Sequence, residues 1–302
     1  MRNNMLKLLV VLNILFIANV VNALTQPNIL SLSVLNNELH TIEREHQTTI
    51  GVYVLDTNNG QVIAYHADKK FPFQSTCKFM AVSALLADKK PLLEKNVLVQ
   101  PQDILFWHPI SGKYVNQTVP LQTLAEGAIS YSDNTAINLI IRELGGLKAI
   151  NEFARSIGNT SFNMENYEIN LNSNPNNDAD TSTPKDMALS IQKILFGKVL
   201  SKQNKALLLE WMKNSTTGYN RIRAGVPLGW SVADKTGSGS YGIANDIGIV
   251  WSPACKPIVL SIYTVSDNSN AKPNDEVIAK ITRALFKEFE QHDACYQATR
   301  LN

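Results

Sequence analysis

Apolar residues recur along this chain with two different periods, and the order in which those periods succeed one another predicts its architecture. Leu32, Leu35, Leu39 and Ile42 stand at helical spacing, so 30–46 is predicted to form an amphipathic helix. Residues 48–56 then form a β-branched and aromatic run, followed by Asn58-Asn59-Gly60 and a second run at 61–66. Asn-Gly between two such runs predicts a tight hairpin in which both turn residues take positive φ. From Ser75 to about Met212 the pattern turns helical, with candidates at 75–87, 121–130, 135–144, 147–157, 185–195 and 202–213. Strand-like runs return at 231–236, 242–251 and 257–265. A last helix is predicted over 275–292, with Val277, Ile278, Ile281, Leu285 and Phe286 on one face.

Strands at both ends of a helical middle predict a split α+β fold, an α/β sandwich. The terminal segments would share one antiparallel sheet, with the middle packed against it as an all-α unit. No internal repeat or low-complexity tract interrupts this order. One segment, 161–180, is crowded with Asn and has no period. A loop of that length inside a compact domain is uncommon, and more often functional than idle.

The N-terminus sets the expected compartment. Arg2 and Lys7 precede the apolar run 8–17, and Val21-Asn22-Ala23 has the small-residue pattern of a cleavage site. That layout predicts an export leader, residues 1–23, and a periplasmic or secreted product. A membrane anchor needs about 20 apolar residues, and Asn13, Asn19 and Asn22 interrupt this stretch. Removing the leader takes two of the 28 Lys and Arg residues and none of the 26 Asp and Glu residues, leaving a formally neutral chain. That balance argues against nucleic acid or an anionic membrane as partner, and a monomer is expected.

Three cysteines, Cys77, Cys255 and Cys295, leave at least one thiol unpaired. Cys255 precedes the last strand and Cys295 follows the last helix. If that helix runs back along that strand the two meet, so a Cys255–Cys295 disulfide is expected, with Cys77 buried and free. His40, His46, His66, His108 and His292 are scattered and show no metal-ligand spacing, so neither a metal nor another cofactor is expected.

Three short motifs carry candidate chemistry. In Ser75-Thr76-Cys77-Lys78 the lysine stands three residues after the serine, on the same helix face. A serine hydroxyl is a poor nucleophile until a neighbour takes its proton. Ser132-Asp133-Asn134 offers a hydroxyl that can relay a proton and an amide that can orient a ligand. The same tripeptide recurs at Ser266-Asp267-Asn268, so it decides nothing alone, and the second copy reads as an ordinary turn. Lys235-Thr236-Gly237-Ser238 closes a strand pattern with a cation, two hydroxyls and a glycine that admits close backbone approach, which suits an anionic carboxylate.

Singly these motifs are common; in this order, on helix, inter-helix turn and strand, they resemble the set of class A serine β-lactamases and penicillin-binding proteins. The approach Phe71-Pro72-Phe73-Gln74 and the stretches Thr216-Thr217-Gly218 and Arg221 through Pro227 resemble the same family. Glu168-Ile169-Asn170-Leu171-Asn172 and the exit Asp180-Thr181-Ser182-Thr183-Pro184 are similar to its Ω-loop, here about 163–181.

The resemblance implies a five-stranded antiparallel sheet with flanking helices, built from 24–67 and 214–302, around an all-α domain, 68–213. It also implies a β-lactam hydrolase acting on penicillins and cephalosporins. Ser75 would be the nucleophile, with Lys78 and Glu168 as proton acceptors, and Ser132 would deliver a proton to the leaving nitrogen. Asn134 would bind the substrate amide and Asn172 the hydrolytic water. Lys235, Thr236, Ser238 and Arg221 would hold the substrate carboxylate, with Arg223 as the competing arginine. Trp107 would gate the pocket mouth, unless it is a core tryptophan. A D-Ala-D-Ala peptidase sharing the nucleophile, or a non-catalytic β-lactam sensor, is the alternative.

Two departures from the family pattern stand out. Asn166 occupies the position of an arginine that usually pairs with the aspartate at the loop exit, here Asp180, so a more mobile loop is expected. Gln74 and Gly239 occupy positions that some carbapenemases join by a disulfide.

Overall fold

The computed structural model describes residues 33–88, 92–292 and 296; the expected leader and Cys295 lie outside the described residues. Helix α1 (Ser33–His46) buries Leu35, Leu39 and Ile42, as its period requires. Strands β1 (Thr49–Asp56) and β2 (Val62–Tyr65) pair antiparallel, Leu55 opposite Val62. Their connection is wider than the expected two-residue turn. Gly60 takes a φ of +77°, whereas Asn59 stays out of the left-handed region. The Asn58 N–H donates to Asp56 Oδ1 at 2.7 Å, an Asx-turn that absorbs the extra residues.

The middle of the chain runs β3 (Phe71–Pro72), a 3₁₀ turn at Gln74–Thr76, α2 (Cys77–Ala87), β4 (Asn96–Leu98), β5 (Thr118–Pro120), α3 (Leu121–Ser130), α4 (Asn134–Glu143), α5 (Leu147–Ser156), β6 (Thr181–Ser182), α6 (Pro184–Leu195) and α7 (Lys202–Lys213). A short α8 (Ile222–Gly225), strands β7 (Ser231–Ser238), β8 (Ala244–Trp251) and β9 (Ile258–Val265), and α9 (Asp275–His292) complete it. The principal sheet has the order β2-β1-β9-β8-β7, every neighbouring pair antiparallel. The fold is thus the expected α+β class, with β1 and β2 from before the helical middle and β7 to β9 from after it in one sheet. Among the described residues no helix is long and apolar enough to cross a membrane.

Two apolar layers cover this sheet, which is why β1 and β9 are buried almost throughout instead of alternately. Ile50, Val52, Val54, Leu260 and Ile262 meet Leu39 of α1 and Ile278, Ile281 and Leu285 of α9 on one face. Tyr53, Leu55, Ile247, Ile249 and Val259 meet the helical middle on the other. Helix α2 is buried at every position from Cys77 to Leu86, the condition of a helix surrounded by protein on all sides. That placement keeps the Lys78 amine out of bulk water.

The sequence pattern predicted one helix from Ser75. Ser75, the expected nucleophile, instead sits in the 3₁₀ turn, ahead of the regular helix at Cys77. The turn opens with Gln74, whose φ is +49°. The strands of two or three residues, β3–β6 and β4–β5, were not predicted, being too short to show a period.

Candidate active site

Strand β7 is the last in the sheet order, so among the described residues no sixth strand covers its outer edge. The nucleophile turn packs against that edge. A Cβ built on Gly237 would lie 2.8 Å from Phe73 O and 3.2 Å from Ser75 N, so only glycine lets strand and turn touch. Lys235, two residues earlier, is buried with its Nζ donating to Ser132 Oγ at 3.1 Å and to Thr236 O at 2.9 Å.

Lys78 lies at the centre. Its Nζ donates to Ser75 Oγ at 2.8 Å, Ser132 O at 2.9 Å, Ser132 Oγ at 3.3 Å and Asn134 Oδ1 at 2.6 Å. The Glu168 carboxylate stands 2.9 Å from the same nitrogen and accepts the Ser75 hydroxyl at 3.0 Å. One serine oxygen is therefore bracketed by a buried ammonium and a buried carboxylate, the arrangement that activates a hydroxyl.

The Ser-Asp-Asn turn is locked by its aspartate. Asp133 caps α4 by accepting Ala136 N–H at 2.8 Å, and its second oxygen accepts Ile110 N–H at 2.9 Å and Ser111 N–H at 2.8 Å. With this scaffold Ser132 holds a φ of +58°, which turns both its carbonyl and its hydroxyl onto Lys78. The second Ser-Asp-Asn lies in a loop, where Ser266 Oγ accepts Asn268 N–H, well apart from this chemistry.

Burial shapes the electrostatics. It pushes the Lys235 ammonium down to about 7, helped by repulsion from Lys78 and opposed by Asp234, Cys77 and Glu168. Burial likewise raises the Cys77 thiol well above its ordinary range, with Glu168 adding to the effect, and this cysteine is free. Asp234 is raised by burial, against the pull of Arg223, whose Nε donates to it at 2.7 Å. Asp246 is raised well above the usual carboxylate range, first by burial and then by the charge of Asp234.

The remaining expected residues divide. Arg223 is committed to Asp234 and to the carbonyls of Met212 and Lys213, away from the pocket edge. Arg221 reaches that edge, but with four of its five donors engaged: Nε on Asp275, Nη1 on Gly237 O and Asn245 O, Nη2 on Ser238 Oγ. A free bidentate fork for a carboxylate is therefore not what this arginine presents. Thr236 Oγ1 lies 2.6 Å from Thr217 Oγ1.

Trp107 is 50 % exposed, so the core alternative falls; its Nε1 donates to Tyr131 O and its carbonyl accepts Asn134 N–H. Asn172 departs from expectation. Its amide donates to Asn174 O, Asn177 O and Ala179 O, and its Oδ1 accepts Asn174 N–H, so the side chain is a clasp within the loop.

At the loop neck Asp180 accepts Glu165 N–H and Asn166 N–H on one oxygen, and Asn166 Nδ2 and Asn172 N–H on the other. Asn166 thus supplies a neutral donor at the position where the resemblance would put an arginine. Gln74 and Gly239 are neighbours, and Gln74 Nε2 donates to Asn172 O at 2.7 Å, tying the nucleophile turn to the loop without a covalent link. Sequence reading missed Asn138. Its Nδ2 donates to Glu168 O at 2.6 Å and its Oδ1 accepts Glu168 N–H at 3.1 Å. The available signal was its spacing, four residues after Asn134 on one face of α4.

A serine, lysine and carboxylate meeting at the junction of a helical unit and a sheet edge define an acyl-transferring serine hydrolase. Comparison with known proteins agrees. The family described as "Beta-lactamase enzyme family" matches residues 34–289. Beta-lactamase 3 of Bacillus cereus is 44% identical over 254 residues, 83% of this chain and 80% of that protein. The carbapenem-hydrolyzing beta-lactamase KPC of Klebsiella oxytoca is 39% identical over 251 residues, 82% and 86% of the two chains. A beta-lactamase crystal structure from Desulfarculus baarsii superposes with a TM-score of 0.84 at 35% identity, covering 86% of this chain and 98% of that one. The chain belongs to the beta-lactamase enzyme family and is a class A serine β-lactamase.

Proposed function

We propose that this enzyme hydrolyses penicillins and cephalosporins through an ester on Ser75 that Glu168 deacylates. The observation that carries the reading is the position of Glu168 Oε1, 3.0 Å from Ser75 Oγ and 2.9 Å from Lys78 Nζ. Ser75 Oγ attacks the lactam carbonyl, its proton passing to Glu168 or Lys78. Backbone N–H groups of Ser75 and Ser238 hold the developing oxyanion, in keeping with the close approach of Gly237 to Ser75 N.

The C–N bond then breaks as the Ser132 hydroxyl, linked to both lysines, protonates the leaving nitrogen and is itself reprotonated through Lys78 by the proton taken from Ser75, which leaves Glu168 a carboxylate again. Glu168 next takes a proton from water, the resulting hydroxide attacks the ester, and the proton returns to Ser75 Oγ as the C–O bond opens. Lys235, Thr236 and Ser238 bind the substrate carboxylate, and Arg221 assists through the Ser238 hydroxyl. Asn134 keeps one amide hydrogen for the substrate side chain while the other goes to Phe106 O. Trp107, exposed beside it, gates the mouth.

The test is Glu168→Ala. Acylation should survive while hydrolysis collapses, leaving an adduct on Ser75 that mass spectrometry detects; free turnover by this variant overturns the assignment. The peptidase alternative predicts that the parent releases one equivalent from a chromogenic cephalosporin and stalls. The reading includes a division into a sheet domain (24–67 with 214–302) and an all-α domain (68–213), and a monomeric product exported after cleavage near Ala23. It also includes a Cys255–Cys295 disulfide, which non-reducing peptide mapping checks.

A further inference from the structure

The loop that carries Glu168 has almost no regular structure, so its backbone groups must find partners elsewhere. Asn163 N–H donates to Thr181 O at 2.9 Å, and Glu165 and Asn166 N–H donate to Asp180 Oδ1 at 2.8 and 3.0 Å. Two further peptide groups of this entry limb are taken by side-chain amides from successive helices. Asn138 of α4 grips Glu168 at both its N–H and its carbonyl, as described above. Asn151 of α5 does the same four residues upstream. Its Oδ1 accepts Met164 N–H at 2.9 Å and its Nδ2 donates to Met164 O at 2.8 Å.

An asparagine amide offers one acceptor and two donors, so it can pair with a loop residue as a neighbouring strand would. Two such pairings, four residues apart, hold the limb against the helical core. Asn151 is well anchored for this task. Ile150 and Ala154, beside it on α5, are fully buried. Met164, which it holds, is buried as well, while Asn151 itself is half-buried. The neighbouring tie, Asn166 Nδ2 to Asp180 Oδ2 at 2.8 Å, has a neutral donor in place of a cation.

We propose that Asn151 is a positioning residue for hydrolysis: its two-point hold on Met164 keeps the entry limb where Glu168 Oε1 can reach Ser75. The effect is selective. Lys78 is fixed by α2, Ser132 by the capped turn before α4, and Lys235 by β7, none of which depends on Met164. Loss of Asn151 therefore slows deacylation and spares acylation. The proposal rests on the reading of Glu168 as the deacylation base.

The experiment compares Asn151→Ala with the parent at a temperature where both are folded, using burst kinetics with a chromogenic cephalosporin and mass spectrometry of quenched enzyme. The expected result is a kcat lower by about tenfold, the scale of one net hydrogen bond. KM should fall in parallel, kcat/KM should stay within about twofold of the parent, and an acyl adduct should accumulate. Asn151→Asp gives a second readout. Ionised, the carboxylate keeps the acceptor and loses the donor; protonated, it regains both. Its deacylation rate relative to the parent should rise as the pH falls from 7 toward 4.5, which decides the matter even if the alanine variant does not fold. An Asn151→Ala enzyme with unchanged kcat, or with kcat and kcat/KM falling together and no adduct, overturns the proposal, as does a pH-independent ratio for Asn151→Asp. A parent that stalls after one equivalent, or an active Glu168→Ala, would instead refute the role of Glu168.

Discussion

Asp180 tests whether the neck of the loop sets the rate of hydrolysis. Its carboxylate is buried and accepts four hydrogen bonds, two on each oxygen. Asp180→Asn keeps the shape and turns one acceptor oxygen into an amide NH₂ donor. Whichever oxygen is lost, two N–H donors then face a third donor. Each bond to a charged acceptor contributes about 1.5–3 kcal/mol, so the closed loop loses roughly 3–6 kcal/mol. If the loop opens locally, even the lower figure reduces the population with Glu168 in place by about a hundredfold, since each 1.36 kcal/mol is a factor of ten. Acylation should change far less, because Lys78, Ser132 and Lys235 are held by other elements. Stopped-flow acylation and steady-state hydrolysis of one chromogenic cephalosporin measure the two steps separately. Deacylation within about threefold of the parent would refute the reasoning, as would equal losses in both steps.

The remaining predictions concern the sheet edge. The Lys235 ammonium, pushed down to about 7, carries its charge below that pH and loses it as the pH rises through it. The kcat/KM for an anionic substrate should therefore fall above about pH 7, and a flat profile from 6 to 9 would remove Lys235 from carboxylate binding. Gly237→Ala places a methyl 2.8 Å from Phe73 O and 3.2 Å from Ser75 N. The strand must shift from the nucleophile turn, so acylation should drop by about 10²-fold, the scale of one lost oxyanion donor; burst rates near those of the parent would show that the contact is dispensable.

The long elements were legible in the sequence because burial imposes a period on them. Leu35, Leu39 and Ile42 in α1, and Ile278, Ile281 and Leu285 in α9, fall where the pattern put them. Of the residues bracketing Ser75, Lys78 was legible from its three-residue spacing, and Glu168, 93 positions away, only from the resemblance of its Glu-x-x-Leu-Asn stretch to a known family. Other features depend on tertiary placement that local sequence does not encode. Asn138 and Asn151 look like ordinary helix residues until a loop lies across them. Asn172 matches its motif by position, yet its rotamer is set by carbonyls that only the folded loop assembles. Arg221 was correctly placed near Ser238, but its commitment to Asp275 of α9 could not be foreseen from residues 54 positions apart.

The pairing of β1 with β9 has a consequence for how the enzyme comes into being. Thr57 Oγ1 bonds Pro257 O, 200 residues downstream, at the foot of that pairing. A chain emerging from the ribosome can condense its helical segment early, but the open edge of β1 waits for β9, since non-local pairing must follow the synthesis of both partners. Until then that edge offers unpaired N–H and C=O groups to any neighbouring chain. Residues 258–275 thus act as a latch: they close the sheet that carries Lys235 and bring Asp275 to Arg221, so Ser75 acquires its full surroundings only after this long-range pairing has formed.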